Sequence, residues 1–127
     1  MNPFRQFKRY LIYKFNNKTN IDSFHLDFSN SNIDEIFKYF GCNKANKIEK
    51  DKNIGHGYSK FYEKHLNFLK NKRINILEIG SFAGASAASF VKYFPSSTIY
   101  CLDINLKNFR FTSKNIKVFG LIFQKSQ

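Results

Sequence analysis

Apolar residues change their spacing along the chain most clearly between Ile74 and Asp103. Ile74, Ile76, Leu77 and Ile79 form a nearly continuous apolar run, which predicts a strand buried on both faces of a parallel sheet. Glu78 interrupts the run near its carboxyl end, and Gly80 permits a sharp turn. Ser81 to Gly84 then leads into a helix over Ala85 to Phe94, whose alanines and serines let it lie close against a sheet. Pro95 stops that helix. Thr98 to Leu102 is β-branched and aromatic, and predicts a second strand that delivers Asp103 to the same sheet edge as Gly80. Strand, turn, helix and strand in this order predict an α/β fold with a parallel sheet.

Other segments follow helical spacing. Ile33, Ile36, Phe37 and Phe40 predict a helix that Ser31 caps, that carries Asp34 and Glu35 in its first turn, and that Gly41 ends. Tyr58, Phe61, Tyr62, His65, Leu66 and Leu69 predict another, reaching to about Lys70 and packing on the sheet. Between them, Cys42 to Gly57 is polar and lysine-rich and reads as a long loop. At the start, Phe4 to Phe15 places Phe4, Phe7 and Leu11 on one helical face and bases on another. Packing on the domain or on a second subunit is the expected use, and contact with an anionic membrane surface is the competing one. Asn16 to Asn20 reads as a polar turn, and Ile21 to Phe28 as an extended segment or a poor helix. After a polar and basic crossing from Asn105 to Asn115, Ile116 to Phe123 predicts a third strand interrupted by Gly120.

Composition narrows the functional classes. Hydrophobic residues make up 43% and aromatic residues 18% of the chain, enough apolar surface for a folded core. The formal charge of +12, from 21 basic and 9 acidic residues, raises nucleic acid or an anionic membrane as partners. The lysines, however, are spread along the chain with no nucleic-acid motif beside them, so no specific nucleic-acid binding is expected. Cys42 and Cys101 lie far apart, which gives neither a metal-ligand spacing nor a disulfide framework. No bound metal is expected, and the cysteine usage fits a reducing cytoplasm. No segment reaches the roughly twenty apolar residues of a membrane span.

The candidate chemistry sits at the sheet edge. Amide groups at Gly80 to Gly84 and the positive end of the next helix favour an anionic group. A carboxylate at Asp103 can accept hydrogen bonds from both hydroxyls of a ribose. The ligand these residues predict is a nucleoside with an anionic arm. A dinucleotide fingerprint needs a glycine two positions after the first, and here that position is Phe82, which argues against NAD.

Glu78-Ile79-Gly80-Ser81-Phe82-Ala83-Gly84, followed by Leu102-Asp103-Ile104, resembles the first two motifs of class I S-adenosylmethionine-dependent methyltransferases. Asp51-Lys52, His56-Gly57-Tyr58 and Phe61-Tyr62-Glu63 are similar to the segment before the first motif in bacterial methyltransferases that modify sugars on macrolides. The resemblance runs from about Ile33 to Gly120. It implies a Rossmann-like doubly wound sheet, with residues 58–127 as the N-terminal part of a cofactor-binding domain and residues 1–57 as a helical and loop extension. It implies S-adenosylmethionine as cofactor, with Gly80, Ser81 and Gly84 beside its methionyl part, Asp103 on its ribose, and Glu78 and Tyr58 in supporting roles. The acceptor it implies is a hydroxyl of a sugar or small metabolite, and His56 is the one nearby base. Relatives carry metal-binding carboxylates and the general base on later strands that this chain does not show. The expectation is therefore a fragment that does not turn over alone and that exposes a sheet edge able to self-associate. A nicotinamide oxidoreductase and a non-enzymatic basic module remain as alternatives.

Overall fold

A computed structural model describes residues 2–46 and 55–120. Strands β2 (Asn75–Ile79), β3 (Thr98–Asp103) and β5 (Ile116–Gly120) form a parallel sheet in the order β2-β3-β5. The register pairs Ile79 with Leu102 and Asp103 with Gly120, so the carboxyl ends of all three strands share one edge. Helix α4 (Ala85–Tyr93) makes the crossover from β2 to β3. It ends just before Pro95, as the sequence predicts.

One core lies on the face of the sheet that carries Ile76, Ile99, Cys101 and Val118. Helix α2 (Ile33–Tyr39) buries Ile33, Ile36 and Phe37 there. The Phe37 ring meets Phe90 of α4 and Tyr62 of helix α3 (Ser59–Leu66), both at 5.8 Å between centroids. These contacts draw residues on both sides of position 57 into the same core. The opposite face of the sheet is open among the described residues: Leu77 is 61% and Ile79 73% exposed. The expectation that this strand is buried on both faces therefore fails here, because α2, α3 and α4 all join the core on a single side.

Local signals account for most boundaries. The cap of α2 is Asn32, one residue later than the sequence reading placed it. Its side chain accepts from the Glu35 N–H, and the Glu35 carboxylate accepts from the Asn32 N–H, both at 3.0 Å. After α3 the chain tightens into a 3-10 turn over Asn67–Leu69, still within the predicted helix. Strand β5 starts at Ile116, and positions 121–123 of the predicted strand lie outside the described residues. One strand pair was not legible. Thr19–Asn20 (β1) pairs in parallel with Phe111–Thr112 (β4), and two-residue strands leave no periodic trace.

Helix α1 (Pro3–Phe15) is capped by Asn2 and docks beside the 3-10 turn Leu106–Asn108. It does pack on the domain, chiefly through the side opposite Phe4, while Phe7 borders a cavity with Leu106 and Gly120. Tyr13 points inward, edge-on to Phe109 at 6.3 Å, and Asn16 donates from Nδ2 to the Lys107 carbonyl at 2.9 Å.

Asp34 ties α2 to the loop and to α3. Its Oδ1 accepts from the Asn46 N–H (2.7 Å) and the Ser59 hydroxyl, while Lys38 pairs with Oδ2 at 2.6 Å. Burial alone would raise this carboxyl, yet Lys38, Ser59 and Asn46 together hold it below its ordinary 3.8. The folded value is depressed, so the stabilisation is complete above the ordinary value and is lost as pH falls below it towards the folded value. Asp34→Asn is expected to lower stability near neutral pH by about 1–3 kcal/mol. It should also flatten the acid limb of a plot of urea midpoint against pH. An unchanged acid limb would remove Asp34 as its source.

Candidate functional site

Short hydrogen bonds across the base of the long loop set the geometry at the carboxyl end of β2. His56 N–H donates to the Asn43 carbonyl (2.6 Å), Gly57 N–H to Ala45 (3.0 Å) and Tyr58 N–H to Lys44 (3.0 Å). They hold Lys44, His56 and Tyr58 over the strand end, around a cavity of about 420 Å³ that is also lined by Cys42, Glu78, Gly80, Ser81, Phe82 and Ser86. The His56 and Tyr58 rings stack at 5.5 Å and 19°.

Glu78 is the charged centre of this hollow. Its Oε1 faces Lys44 Nζ at 3.3 Å, with the carboxylate mostly buried, while its buried Oε2 has no hydrogen-bond partner among the described residues. Ser86 Oγ, in the first turn of α4, is likewise buried, with only the weakly bonding Cys42 thiol beside it among the described residues. No side chain caps the start of α4, so its first-turn amides present their positive end toward the wall formed by Ala85 and Ser86. A buried carboxylate oxygen left unpaired, and a buried hydroxyl met only by a thiol, cost free energy unless something more polar meets them. An ammonium suits the first, and a carboxylate or hydroxyl suits the second. Burial raises the Cys42 thiol and pushes Cys101 up to about 11, so neither supplies a thiolate at neutral pH.

The turn residues divide into two groups. Gly80 has φ of +80°, its N–H continues the ladder to the Leu102 carbonyl (2.7 Å), and no described residue stands where a Cβ would project. Ser81 is buried, and its hydroxyl donates to the Glu78 carbonyl at 3.4 Å. Gly84 plays another part: its φ is +81°, and a Cβ there would lie 2.7 Å from the Phe109 ring. Its missing side chain makes room for that ring, and Gly84 does not line the cavity.

Asp103 is separated from the cavity by Phe82. Its Oδ2 accepts from the Phe82 N–H (2.8 Å) and its Oδ1 from the Asn105 N–H (2.9 Å), which fastens the turn to the loop after β3. Phe82 adopts φ of +44°, a left-handed conformation unusual for a bulky residue, with its ring exposed. The structure thus brings Glu78, Gly80, Ser81, Tyr58 and His56 to one hollow and leaves Asp103 at its rim. Asp51 and Lys52 lie outside the described residues. Lys44, Cys42 and Ser86 escaped the sequence reading. Lys44 is one lysine in a lysine-rich loop, and the Ser86 hydroxyl reads as one more small helix residue. Among the described residues, no group of three or more His, Cys, Asp or Glu side chains could hold a metal ion, and no helix is long and apolar enough to cross a membrane.

No protein-family model matches the sequence, and no curated protein matches it. Solved structures do. One is the MycE methyltransferase from the mycinamycin biosynthetic pathway in complex with Mg and SAH, which superposes with a TM-score of 0.58 at 20% identity over 72% of this chain. Another is the same methyltransferase in complex with Mg, SAH and mycinamycin VI, with a TM-score of 0.56 and 20% identity over 70% of this chain. This chain spans about a quarter of their length, 23% and 24%. The likeness, together with the parallel order and register of β2, β3 and β5, shows that the chain has a Rossmann-like α/β fold shared with part of these methyltransferases.

Proposed function

We propose that the cavity at the carboxyl end of β2 binds S-adenosylmethionine, and that the protein takes part in methyl transfer to a hydroxyl of a sugar or another small molecule. The observation that carries this reading is the Glu78 Oε2, unpaired among the described residues, beside the Lys44 cation and the start of α4, which no described side chain caps. Together they offer opposite charges to a ligand with both an ammonium and a carboxylate, which is the amino-acid end of this cofactor. When bound, the cofactor supplies an electrophilic methyl group on a sulfonium. In this reading Glu78 Oε2 accepts from the ammonium, Lys44 Nζ and the first-turn amides of α4 meet the carboxylate, and Gly80 and Ser81 form the floor. Asp103 accepts from the ribose hydroxyls with the lone pairs that Phe82 and Asn105 leave free. Transfer needs the acceptor oxygen aligned and its proton removed, and His56, held on Tyr58 at the cavity wall, is the base placed for that proton. The resemblance of the first two motifs and the likeness in fold to MycE support the same assignment, and mycinamycin VI in the MycE complex supports a small-molecule acceptor.

Calorimetry tests this directly. The chain is expected to bind S-adenosylhomocysteine and to discriminate against NAD, because the exposed, left-handed Phe82 occupies the place where a pyrophosphate needs close backbone approach. Glu78→Gln should weaken S-adenosylhomocysteine binding by about 10-fold to 150-fold, the range for a hydrogen bond to a charged group. It should leave 5′-methylthioadenosine, which lacks the amino-acid end, nearly unaffected. Preference for NAD would replace the methyltransferase reading with an oxidoreductase one. Equal losses for both nucleosides would remove Glu78 from the amino-acid end.

A further inference from the structure

Helix α1 has an outward face that packing among the described residues leaves largely uncovered. No residue of this helix is buried. With 3.6 residues per turn, Phe4, Phe7, Leu11 and Phe15 align on one side, opposite the side where Tyr13 packs on Phe109. Phe4 is 73%, Phe7 58% and Phe15 76% exposed. Leaving three phenylalanines in water forfeits a large transfer free energy, whereas a polar face would cost the helix nothing. Arg5, Lys8 and Lys14 border or interrupt this stripe, and residues 1–21 contain no Asp or Glu.

We propose that this face of α1 is an in-plane docking surface for an anionic phospholipid bilayer. The rings would enter the boundary between headgroups and acyl chains, and the flanking cations would lie at the level of the lipid phosphates. Charge selects this occupant over a second copy of the chain. Two such faces brought together would appose Arg5, Lys8 and Lys14 of one copy with the same cations of the other, a like-charge arrangement that opposes association. The lipid surface supplies the missing negative charge. At 13 residues the helix is too short to span a bilayer and long enough to lie on one. Membrane attachment in this form is independent of the cofactor assignment.

Cosedimentation of the whole chain with sucrose-loaded vesicles tests the proposal. Vesicles of phosphatidylcholine with about 30 mol% phosphatidylserine are expected to retain the protein, and vesicles of phosphatidylcholine alone to retain little. Raising salt from about 0.1 to 0.5 M should release most of it. Each cation near such a surface multiplies partitioning about fivefold, so R5Q/K8Q/K14Q should lower it about a hundredfold. F4S/F7S/F15S should abolish stable retention, with the melting temperature of the cation variant close to the parent's and that of the phenylalanine variant lowered only modestly, because Phe4 and Phe15 are mostly exposed and Phe7 only borders a cavity with Leu106 and Gly120. Full retention of the phenylalanine variant would reduce the effect to unspecific attraction of cations and overturn the proposal. Equal retention on neutral and anionic vesicles would overturn it too, as would a dimer in sedimentation equilibrium that F4S/F7S/F15S dissolves.

Discussion

Gly84→Ala is expected to destabilise the protein by about 2–5 kcal/mol, a large share of the stability of a domain this size. Two costs add. At φ of +81° a side chain is strained, by about 1–2 kcal/mol for an alanine. The new methyl would also sit 2.7 Å from the Phe109 Cζ, and Phe109 is buried under α1 and α4 with little room to retreat. Overpacking of that kind costs about 1–3 kcal/mol. Urea unfolding of the parent, G84A and G84A/F109L separates the two, because the smaller leucine should recover the clash and leave the strain. A G84A variant within about 0.5 kcal/mol of the parent would show that neither cost is present. Because Gly84 leads into α4 and does not line the cavity, any change in ligand affinity should follow the fold and not a lost contact.

Asp103→Ala should produce two losses of different origin. The carboxylate ties Phe82 to Asn105 through two backbone N–H groups, and releasing both near the surface is expected to lower stability by about 2 kcal/mol. If it also holds the ribose, affinity for S-adenosylhomocysteine should fall by a further 1.5–3 kcal/mol or so, roughly 10-fold to 150-fold. Chemical denaturation without ligand measures the first loss, and calorimetry at a temperature where both proteins are folded measures the second. Asp103→Ala with unchanged affinity would leave this residue as a clasp for the glycine turn. The sequence alone predicts an affinity loss with the fold intact. The bond to the Phe82 N–H is what adds the stability loss.

The strands and helices were legible where many residues repeat one physical preference. The Ile74–Ile79 run, the small-residue helix stopped by Pro95, and the Ile33, Ile36, Phe37 spacing each integrate a signal over a whole element, and the structure places them within a residue or two. Features made by one or two residues were not. The cap of α2 moved from Ser31 to Asn32 because both are good acceptors, and only the reciprocal bond to Glu35 decides between them. The β1–β4 pair rests on contacts between residues 92 apart. At the site, the motif located Glu78, Gly80 and Ser81, because turn geometry is written locally. Lys44 reaches Glu78 only through loop bonds formed by Asn43, Ala45 and Gly57, and nothing in its sequence neighbourhood marks it among the other lysines.

The β1–β4 pair also bears on the order in which the chain folds. Thr19 N–H reaches the Arg110 carbonyl at 2.8 Å, and Asp22 accepts from the Ser113 hydroxyl and the Lys114 N–H, each at 2.7 Å. Bringing such distant residues together costs about 2 kcal/mol more in chain entropy than closing a ten-residue loop, and a handful of bonds and the burial of Ile21 offset it. The β2-α4-β3 crossover, whose partners are close in sequence, needs no such closure and should form first. The two-residue clasp then closes late, and in unfolding it opens early. When it opens, α1 and the 3-10 turn after β1 are freed with it, while the three-stranded sheet stays intact, so the N-terminal segment is the natural place for the first local opening of the native state.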